Sequence, residues 1–93
     1  MNRHCIFNRI DAALEKVRAR QMEVRAIYLD PEDDAAFIET NTKYWRKALD
    51  SRATFYATDY AGHHLRQGTR SQIFSTDGVA VAIPKKLSAR VAA

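Results

Sequence analysis

The chain has 93 residues, of which 46% are hydrophobic and 28% are charged, and its formal net charge is +4. This length allows one hydrophobic core and therefore one domain, residues 1–93. The three glycines and two prolines are too few for a collagen-like or low-complexity protein. The single cysteine excludes an internal disulfide. Because the sequence has no long apolar run and no signal-peptide core, we expect a cytoplasmic protein.

Charge is distributed unevenly along the chain. Residues 26–42 contain five acids and no basic residue, whereas the segments on both sides are basic. A basic protein attracts nucleic acid and other acidic surfaces through a long-range field that salt screens. The same charge also improves solubility, and at this stage both interpretations of the basic balance are open.

The N-terminal third predicts a helix followed by a strand. Over residues 3–22, apolar residues recur at three- and four-residue spacing from Phe7 to Val17, which is typical of an amphipathic helix. Residues 24–29 are mostly β-branched, aromatic or aliphatic and predict a strand. Because the apolar pattern of this strand is nearly continuous at its end, we expect the strand inside a sheet, not at its edge.

A helix start is the clearest local signal in the sequence. Asp30 suits the N-cap position, and Pro31 suits the first helical position, where its missing N–H costs nothing. The acidic residues that follow complement the positive end of the helix dipole. The cap therefore explains the acidic segment without a metal ion, since adjacent carboxylates in a first turn point in different directions.

This second helix is predicted to carry Trp45 into the core. Phe37, Trp45 and Leu49 share one face of the helix, which favours a buried Trp45 over an exposed ring that stacks on a ligand. Residues 39–43 have weak helix propensity, so the sequence leaves open whether the helix breaks there.

The C-terminal half predicts strands. Four short segments have strand-like composition: 53–58, 63–66, 71–75 and 79–83. Asp77 and Gly78 lie between two such segments and predict a hairpin with a tight type I′ turn. Pro84 ends the last strand. Residues 85–93 are a basic tail, for which a short helical turn and a disordered segment are both open.

These elements together predict an α+β domain of two layers. Two amphipathic helices pack on one face of a mostly antiparallel sheet of three to five strands, in the chain order αβαβββ. The order of the strands within the sheet is not predicted. An edge strand of the C-terminal hairpin offers a route to a homodimer.

Candidate metal and nucleophile residues are few. His63 and His64 are adjacent, so on a strand they point to opposite faces. With His4 and Cys5 they provide atom types that suit zinc, but not a recognised ligand spacing. Cys5 adjoins the apolar stripe of the first helix, where a free cysteine acts as a small hydrophobe. We therefore predict no catalytic residue, metal or cofactor, and a metal protein or enzyme is the third choice.

Partner-binding residues are expected at a basic rim of the predicted sheet and among the aromatic residues of its strands. The six candidates are Arg66, Arg70, Tyr56, Tyr60, Lys85 and Lys86. Arginine and tyrosine are favoured in protein interfaces, which makes a non-enzymatic binding protein with a protein partner the leading hypothesis. The alternative is a nucleic-acid-binding protein, because the same residues beside Phe74 suit a sheet that stacks bases and neutralises phosphates.

Three segments carry a resemblance to a known group of proteins. They are IYLDPED at 27–33, RSQIFSTDG at 70–78 and AIPKKL at 82–87. Through them, residues 24–90 resemble short uncharacterised proteins of tailed phages and prophages. The resemblance implies a small accessory protein of a mobile element. Such a protein binds a host or phage macromolecule, and some members of the group inhibit host defence complexes.

Overall fold

Two helices and five strands make up the computed structural model, which describes residues 5–87. The elements are α1 (Ile6–Ala19), β1 (Val24–Leu29), α2 (Pro31–Leu49), β2 (Asp59–Tyr60), β3 (His63–Gln67), β4 (Gln72–Ser75) and β5 (Ala80–Ala82). The predicted α+β class and element order are confirmed. His4 and residues 88–93 of the predicted tail lie outside the described residues. Within those residues, neither helix has the length and apolar character needed to cross a membrane.

The sheet has the strand order β2-β3-β1-β4-β5. β1 lies at its centre, as its apolar pattern predicts, and pairs parallel with β3 and antiparallel with β4. The other two pairs are antiparallel, so the sheet is mostly antiparallel. The parallel pair requires a crossover connection, and α2 provides it. This crossover places α2 beside α1 on one face of the sheet.

The core lies between that face and the helices. α1 contributes a buried stripe at helical spacing: Ile6, Ile10, Ala13, Leu14 and Val17. The sheet contributes Ile27, Leu29, Ile73 and Val81, and α2 contributes Phe37. Ile27 and Ile73 are fully buried and lie opposite each other on β1 and β4. The centre of the core is therefore an aliphatic contact between α1 and the two middle strands.

The start of α2 confirms the predicted cap. The Asp30 side chain accepts a hydrogen bond of 2.8 Å from the Asp33 N–H, and Pro31 is the first helical residue. α2 runs unbroken through residues 39–43 to Leu49. The weak propensity of that segment is offset by tertiary hydrogen bonds, because Asn41 and Thr42 both donate to the Phe55 carbonyl oxygen.

The β4–β5 hairpin is confirmed with a different turn. Gly78 has φ +84°, but Asp77 is not among the residues with positive φ, so the turn is not type I′. The Gly78 N–H donates to the Ser75 carbonyl oxygen, and the Ser75 N–H donates to the Val79 carbonyl oxygen. This is the three-residue loop in which a glycine in the left-handed region follows a tight turn.

Two further sequence predictions are wrong. Residues 53–58 are not a strand; they form a loop after α2, and β2 begins only at Asp59. Trp45 is not in the core but is 39% exposed, next to Tyr44 and Leu49, which are also exposed. The reason is length: a helix of 19 residues extends about 28 Å, whereas β1, with six residues, extends about 20 Å. Residues 43–50 at the end of α2 are all exposed.

Candidate binding face of the sheet

One face of the sheet is left open by the helices. Successive strand residues point to opposite faces. Ile27 and Ile73 are in the core, so Tyr28 on β1 and both Gln72 and Phe74 on β4 point away from the helices. The open face is defined by Tyr28, Arg66, Gln72 and Phe74, with alanines 26, 80 and 82 between them.

The strand register aligns three functional groups in one row on this face. Arg66 of β3 lies opposite Tyr28 of β1, and Tyr28 lies opposite Gln72 of β4. Ala82 of β5 lies opposite Gln72 and ends the row. A cation, an aromatic ring and an amide are therefore neighbours across three adjacent strands. Among residues 5–87 the Gln72 side chain has no hydrogen-bond partner, so its amide is available to a ligand.

A second aromatic ring lies in the next row. The centroids of the Tyr28 and Phe74 rings are 5.3 Å apart, and the rings meet edge to face. Phe74 lies opposite Ala26 on one side and Ala80 on the other. Ala80 is exposed, whereas Ala26 is 3% exposed, so a flat ligand has room to approach the Phe74 ring from the β5 side.

The loop before β4 closes onto the Tyr28 ring. A Cβ at Gly68 would lie 3.2 Å from Tyr28 Cδ2, which is tighter than most side-chain contacts. Glycine therefore permits this close approach, and the Gly68 N–H donates to the Leu29 carbonyl oxygen at 2.9 Å. Arg70 belongs to the same loop, so it is held at the end of the open face where Tyr28 and Gln72 lie.

Three of the six predicted binding residues lie on or beside the open face. Arg66 and Arg70 are exposed, and neither guanidinium forms an ion pair with any of residues 5–87. Tyr56 is 75% exposed and belongs to the loop between α2 and β2. Tyr56 and Arg66 line a cavity of about 250 Å³ at the outer edge of β3, together with Phe37 and Ile38 of α2. Tyr56 is therefore next to both Arg66 and α2.

Tyr60 lies on the opposite face of the sheet. Its ring packs 5.4 Å from Phe7 and 5.8 Å from Phe37, and its hydroxyl donates a 2.8 Å hydrogen bond to Asp11. Burial raises the pKa of the Tyr60 hydroxyl, and the bond to Asp11 adds to this. Tyr60 therefore joins the helix layer to the edge of the sheet and is not part of the open face.

The two lysines also lie away from the open face. Lys85 Nζ donates to Asp30 Oδ2 at 2.6 Å and to Asp33 Oδ2 at 2.9 Å, at the N-terminus of α2. Lys86 is exposed and lines a groove with residues of α1, including Glu15. Lys85 is thus engaged within the protein, and Lys86 faces the helix layer.

A buried polar cluster surrounds Asp33. This carboxylate is 1% exposed, and its Oδ1 accepts a 3.0 Å hydrogen bond from the guanidinium of Arg9, which is 7% exposed. Its Oδ2 accepts from the Ser71 hydroxyl and from Lys85. In residues 5–87 no buried side-chain polar atom lacks a partner. The cluster is internally satisfied, so its role is to join α1, α2 and the segments flanking the β4–β5 hairpin.

The surroundings of the cluster shift three pKa values. Desolvation raises the pKa of Asp33, but hydrogen bonds from Ser71, Lys85 and Arg9 outweigh it, so the net shift is downward. The hydrogen bond from Lys85 lowers the pKa of Asp30, and the bond from the Asp33 N–H assists. The hydrogen bond to Asp30 in turn raises the pKa of Lys85.

These shifts predict a pH dependence of stability with two limits. A carboxylate with a lowered pKa in the folded state contributes stability above its unfolded pKa, here 3.8, and loses it as pH falls toward the folded pKa. A lysine with a raised pKa contributes below its unfolded pKa, here 10.5, and loses that contribution as pH rises through the folded pKa. We expect the urea concentration at the unfolding midpoint to fall as pH drops below about 3.8 and as it rises above about 10.5.

Lys85 is the exposed member of the cluster, and replacing it tests this pH dependence. Lys85→Met removes the ammonium that lowers the pKa of Asp30 and Asp33, so its urea midpoint should decline less steeply between about pH 5 and pH 3 than that of the wild type. Lys86→Met changes net charge equally without touching the cluster. Parallel acid limbs for wild type and Lys85→Met would contradict the assignment.

The metal and nucleophile candidates are not brought together. His63 and His64 point to opposite faces of β3, and His64 Nδ1 lies 3.1 Å from Asp59 Oδ1. Cys5 is half-buried at the N-cap of α1. Within residues 5–87 no three histidine, cysteine, aspartate or glutamate side chains are grouped closely enough to hold a metal ion.

Sequence reasoning missed Tyr28 and Gln72 as surface residues. The sequence pattern predicts only that Tyr28 lies in a strand inside the sheet and that Gln72 lies in a strand. The signal that identifies them is alternation, since each lies next to an isoleucine of the core, Ile27 or Ile73. Reading both strands with a period of two, with only one face covered by helices, would have placed both side chains on the open face.

Comparisons of this chain with protein-family models, with curated proteins and with solved structures found no match. The function is therefore inferred from the side chains of the open face, their surroundings and their charge.

Proposed function

We propose that this protein is a non-enzymatic binding protein that contacts a macromolecular partner through the open face of its sheet. One observation carries the proposal: Arg66 and Arg70 are exposed without an ion pair within residues 5–87, beside the Tyr28 and Phe74 rings on a face that neither α1 nor α2 covers. Arginine and aromatic residues are the groups that contribute most to binding energy in interfaces.

The distribution of ion pairs supports this choice of face. On the helix side, Lys85 and Arg9 are used by the Asp30–Asp33 segment of α2. At the β2 edge of the open face, Asp59 is matched by His64. Arg66 and Arg70 share their lack of an ion pair within residues 5–87 with other exposed cations such as Arg25 and Lys86, and they differ in lying beside the Tyr28 and Phe74 rings. A charge held in place by a sheet and a short loop loses little freedom on binding.

Three further predictions accompany this function. The resemblance to phage and prophage accessory proteins suggests a partner in a host or phage complex. A cytoplasmic location is consistent with such a partner. The outer edge of β5 is short, three residues, and self-association there is a separate prediction that light scattering in solution tests.

Site-specific photo-crosslinking tests the proposed face in cells that carry the gene. A photoreactive phenylalanine analogue replaces Ala82, which is exposed on the open face, or Glu15, which is exposed on α1. Adducts of higher mass are expected from position 82 and not from position 15. Adducts from position 15 alone, or none from position 82, would show that the open face is not an interface.

A charge-reversal variant links the adduct to the two arginines. Arg66→Glu combined with Arg70→Glu should abolish the adduct from position 82 and leave the melting temperature nearly unchanged, because neither guanidinium has an internal ion pair within residues 5–87. Lys43→Glu combined with Lys47→Glu, at the end of α2, alters net charge equally and should leave the adduct in place. Equal effects of both variants would indicate attraction by net charge only.

A further inference from the structure

The side chains of the open face define the chemistry of its partner. Resting on the proposed function, we infer that the partner is single-stranded nucleic acid, whose bases stack on Phe74 and Tyr28 while Arg66 and Arg70 contact phosphates. Bases of a single strand present flat aromatic surfaces, which a duplex buries in its own stack.

The surroundings of Phe74 fit a flat ligand. Ala80, opposite it on β5, is exposed, whereas Ala26, opposite it on β1, is 3% exposed, so the ring is open on its β5 side. A protein interface is filled by interlocking side chains. Methyl groups around a single ring provide few contacts for such side chains. A nucleobase needs only the face of the ring and space beside it, and this is what the open face provides.

Tyr28 and Gln72 continue the same surface. The Tyr28 ring lies 5.3 Å from the Phe74 ring and meets it edge to face, so the two rings can contact two bases that are splayed apart and not stacked in one column. The Gln72 amide lies opposite Tyr28 and has no partner within residues 5–87, and an amide of this kind hydrogen-bonds the edge of a base.

The charges lie where a strand of phosphates would run. Arg66 occupies the row of Tyr28 on the β3 side, and Arg70 belongs to the loop that packs on Tyr28, beyond that row. The bases would thus lie on the middle strands, and the phosphates near these two arginines. The net charge of +4 adds attraction at long range.

Fluorescence anisotropy with labelled oligonucleotides of about 12 nucleotides tests the assignment. Single-stranded DNA or RNA should bind at about 50 mM salt more tightly than the duplex of the same sequence. With two phosphates neutralised, affinity should fall about 7-fold between 50 and 200 mM salt. Failure to bind any single strand at low salt, or equal binding of the duplex, would overturn the assignment.

Three variants separate stacking from charge. Phe74→Leu keeps an apolar side chain but removes the ring, and should weaken binding by about 5-fold or more with the salt dependence unchanged. Tyr28→Phe keeps the ring and should bind within about twofold of the wild type. Arg66→Gln should reduce the salt-dependent loss to about 3-fold. Unchanged binding by Phe74→Leu would show that the ring is not a stacking platform.

A matched control removes one charge from the other side of the molecule. Lys16→Gln on α1 loses the same unit charge as Arg66→Gln, but from the helix layer, and should change the salt dependence less. Equal effects of the two variants would mean that the charge acts through the net field and not at the open face.

The cross-linked adduct separates failure of this inference from failure of the proposed function. An adduct from position 82 that nuclease digests supports the assignment. An adduct whose mass nuclease leaves unchanged would overturn the nucleic-acid assignment and retain the open face as a protein interface. Absence of any adduct at position 82 would contradict the proposed function itself.

Discussion

Asp33→Asn is expected to lower the free energy of unfolding by about 3–5 kcal/mol, measured by urea denaturation at neutral pH. Asp33 is 1% exposed, and Arg9, whose guanidinium it binds, is 7% exposed. An asparagine supplies only one oxygen, so its amide N–H₂ faces either the Arg9 donor or the Ser71 and Lys85 donors. The buried positive charge of Arg9 then loses the carboxylate that balances it, which is far more costly than losing an exposed ion pair.

A neighbouring carboxylate serves as the control for this prediction. Asp34 Oδ2 accepts a 2.9 Å hydrogen bond from Gln67 at an exposed position, so Asp34→Asn should cost less than about 1 kcal/mol. The double variant Arg9→Met with Asp33→Leu removes both buried charges and should recover much of the loss. An Asp33→Asn protein within about 1 kcal/mol of the wild type would contradict a structural role for the cluster.

The second large effect is expected at Phe37 and is absent at Trp45. Phe37 is 3% exposed and contacts the Phe7 and Tyr60 rings, so Phe37→Ala should cost about 3–5 kcal/mol. Trp45 is 39% exposed and its ring contact is with the exposed Tyr44, so Trp45→Ala should cost less than about 1 kcal/mol.

The same pair of variants discriminates between two positions of α2. If the end of α2 folded back over the sheet, Trp45→Ala would cost as much as Phe37→Ala, as the helical periodicity of the sequence predicts. Thermal unfolding followed by circular dichroism measures both variants under one condition. The intrinsic fluorescence of Trp45, the chain's one tryptophan, gives a second reading. Its emission maximum in the folded wild type should be close to that of a solvated indole.

Local features of the fold were predictable because their causes lie within a few residues. The Asp30 cap, the first helix and the hairpin at Gly78 each depend on neighbouring residues, and each is confirmed. The central position of β1 was predictable for a similar reason, since Ile27 and Leu29 face the helices while neighbouring strands cover both edges.

Features that depend on distant residues were not predictable. The prediction that Trp45 is buried was wrong because periodicity identifies the apolar face of a helix but not where the sheet beneath it ends. The continuity of α2 depends on hydrogen bonds from Asn41 and Thr42 to Phe55, in a loop that was predicted as a strand. Asp33 was explained by the helix dipole alone, whereas it also binds Arg9 and Lys85, residues far away in the sequence.

The candidate site shows the same division between features with local causes and features that depend on distant residues. Arg66 and Arg70 could be selected by residue type and are exposed as expected. Lys85 was selected on the same grounds, but two carboxylates at the start of α2 hold it. Tyr60 is likewise occupied by Asp11 and two aromatic rings. Residue type identifies which side chains suit a partner; the topology decides which of them are left unoccupied.

The buried cluster around Asp33 has a consequence for the order of folding. Its members are separated by 24, 38 and 52 residues along the chain, so no local segment can assemble it. In a chain that grows from its N-terminus, Asp33 and Arg9 are present early, but Asp33 lacks its hydrogen bond from Lys85 until residue 85 has been synthesised. We expect the domain to mature in a single cooperative step late in synthesis, and fragments that stop before Lys85 to be substrates for proteases and chaperones.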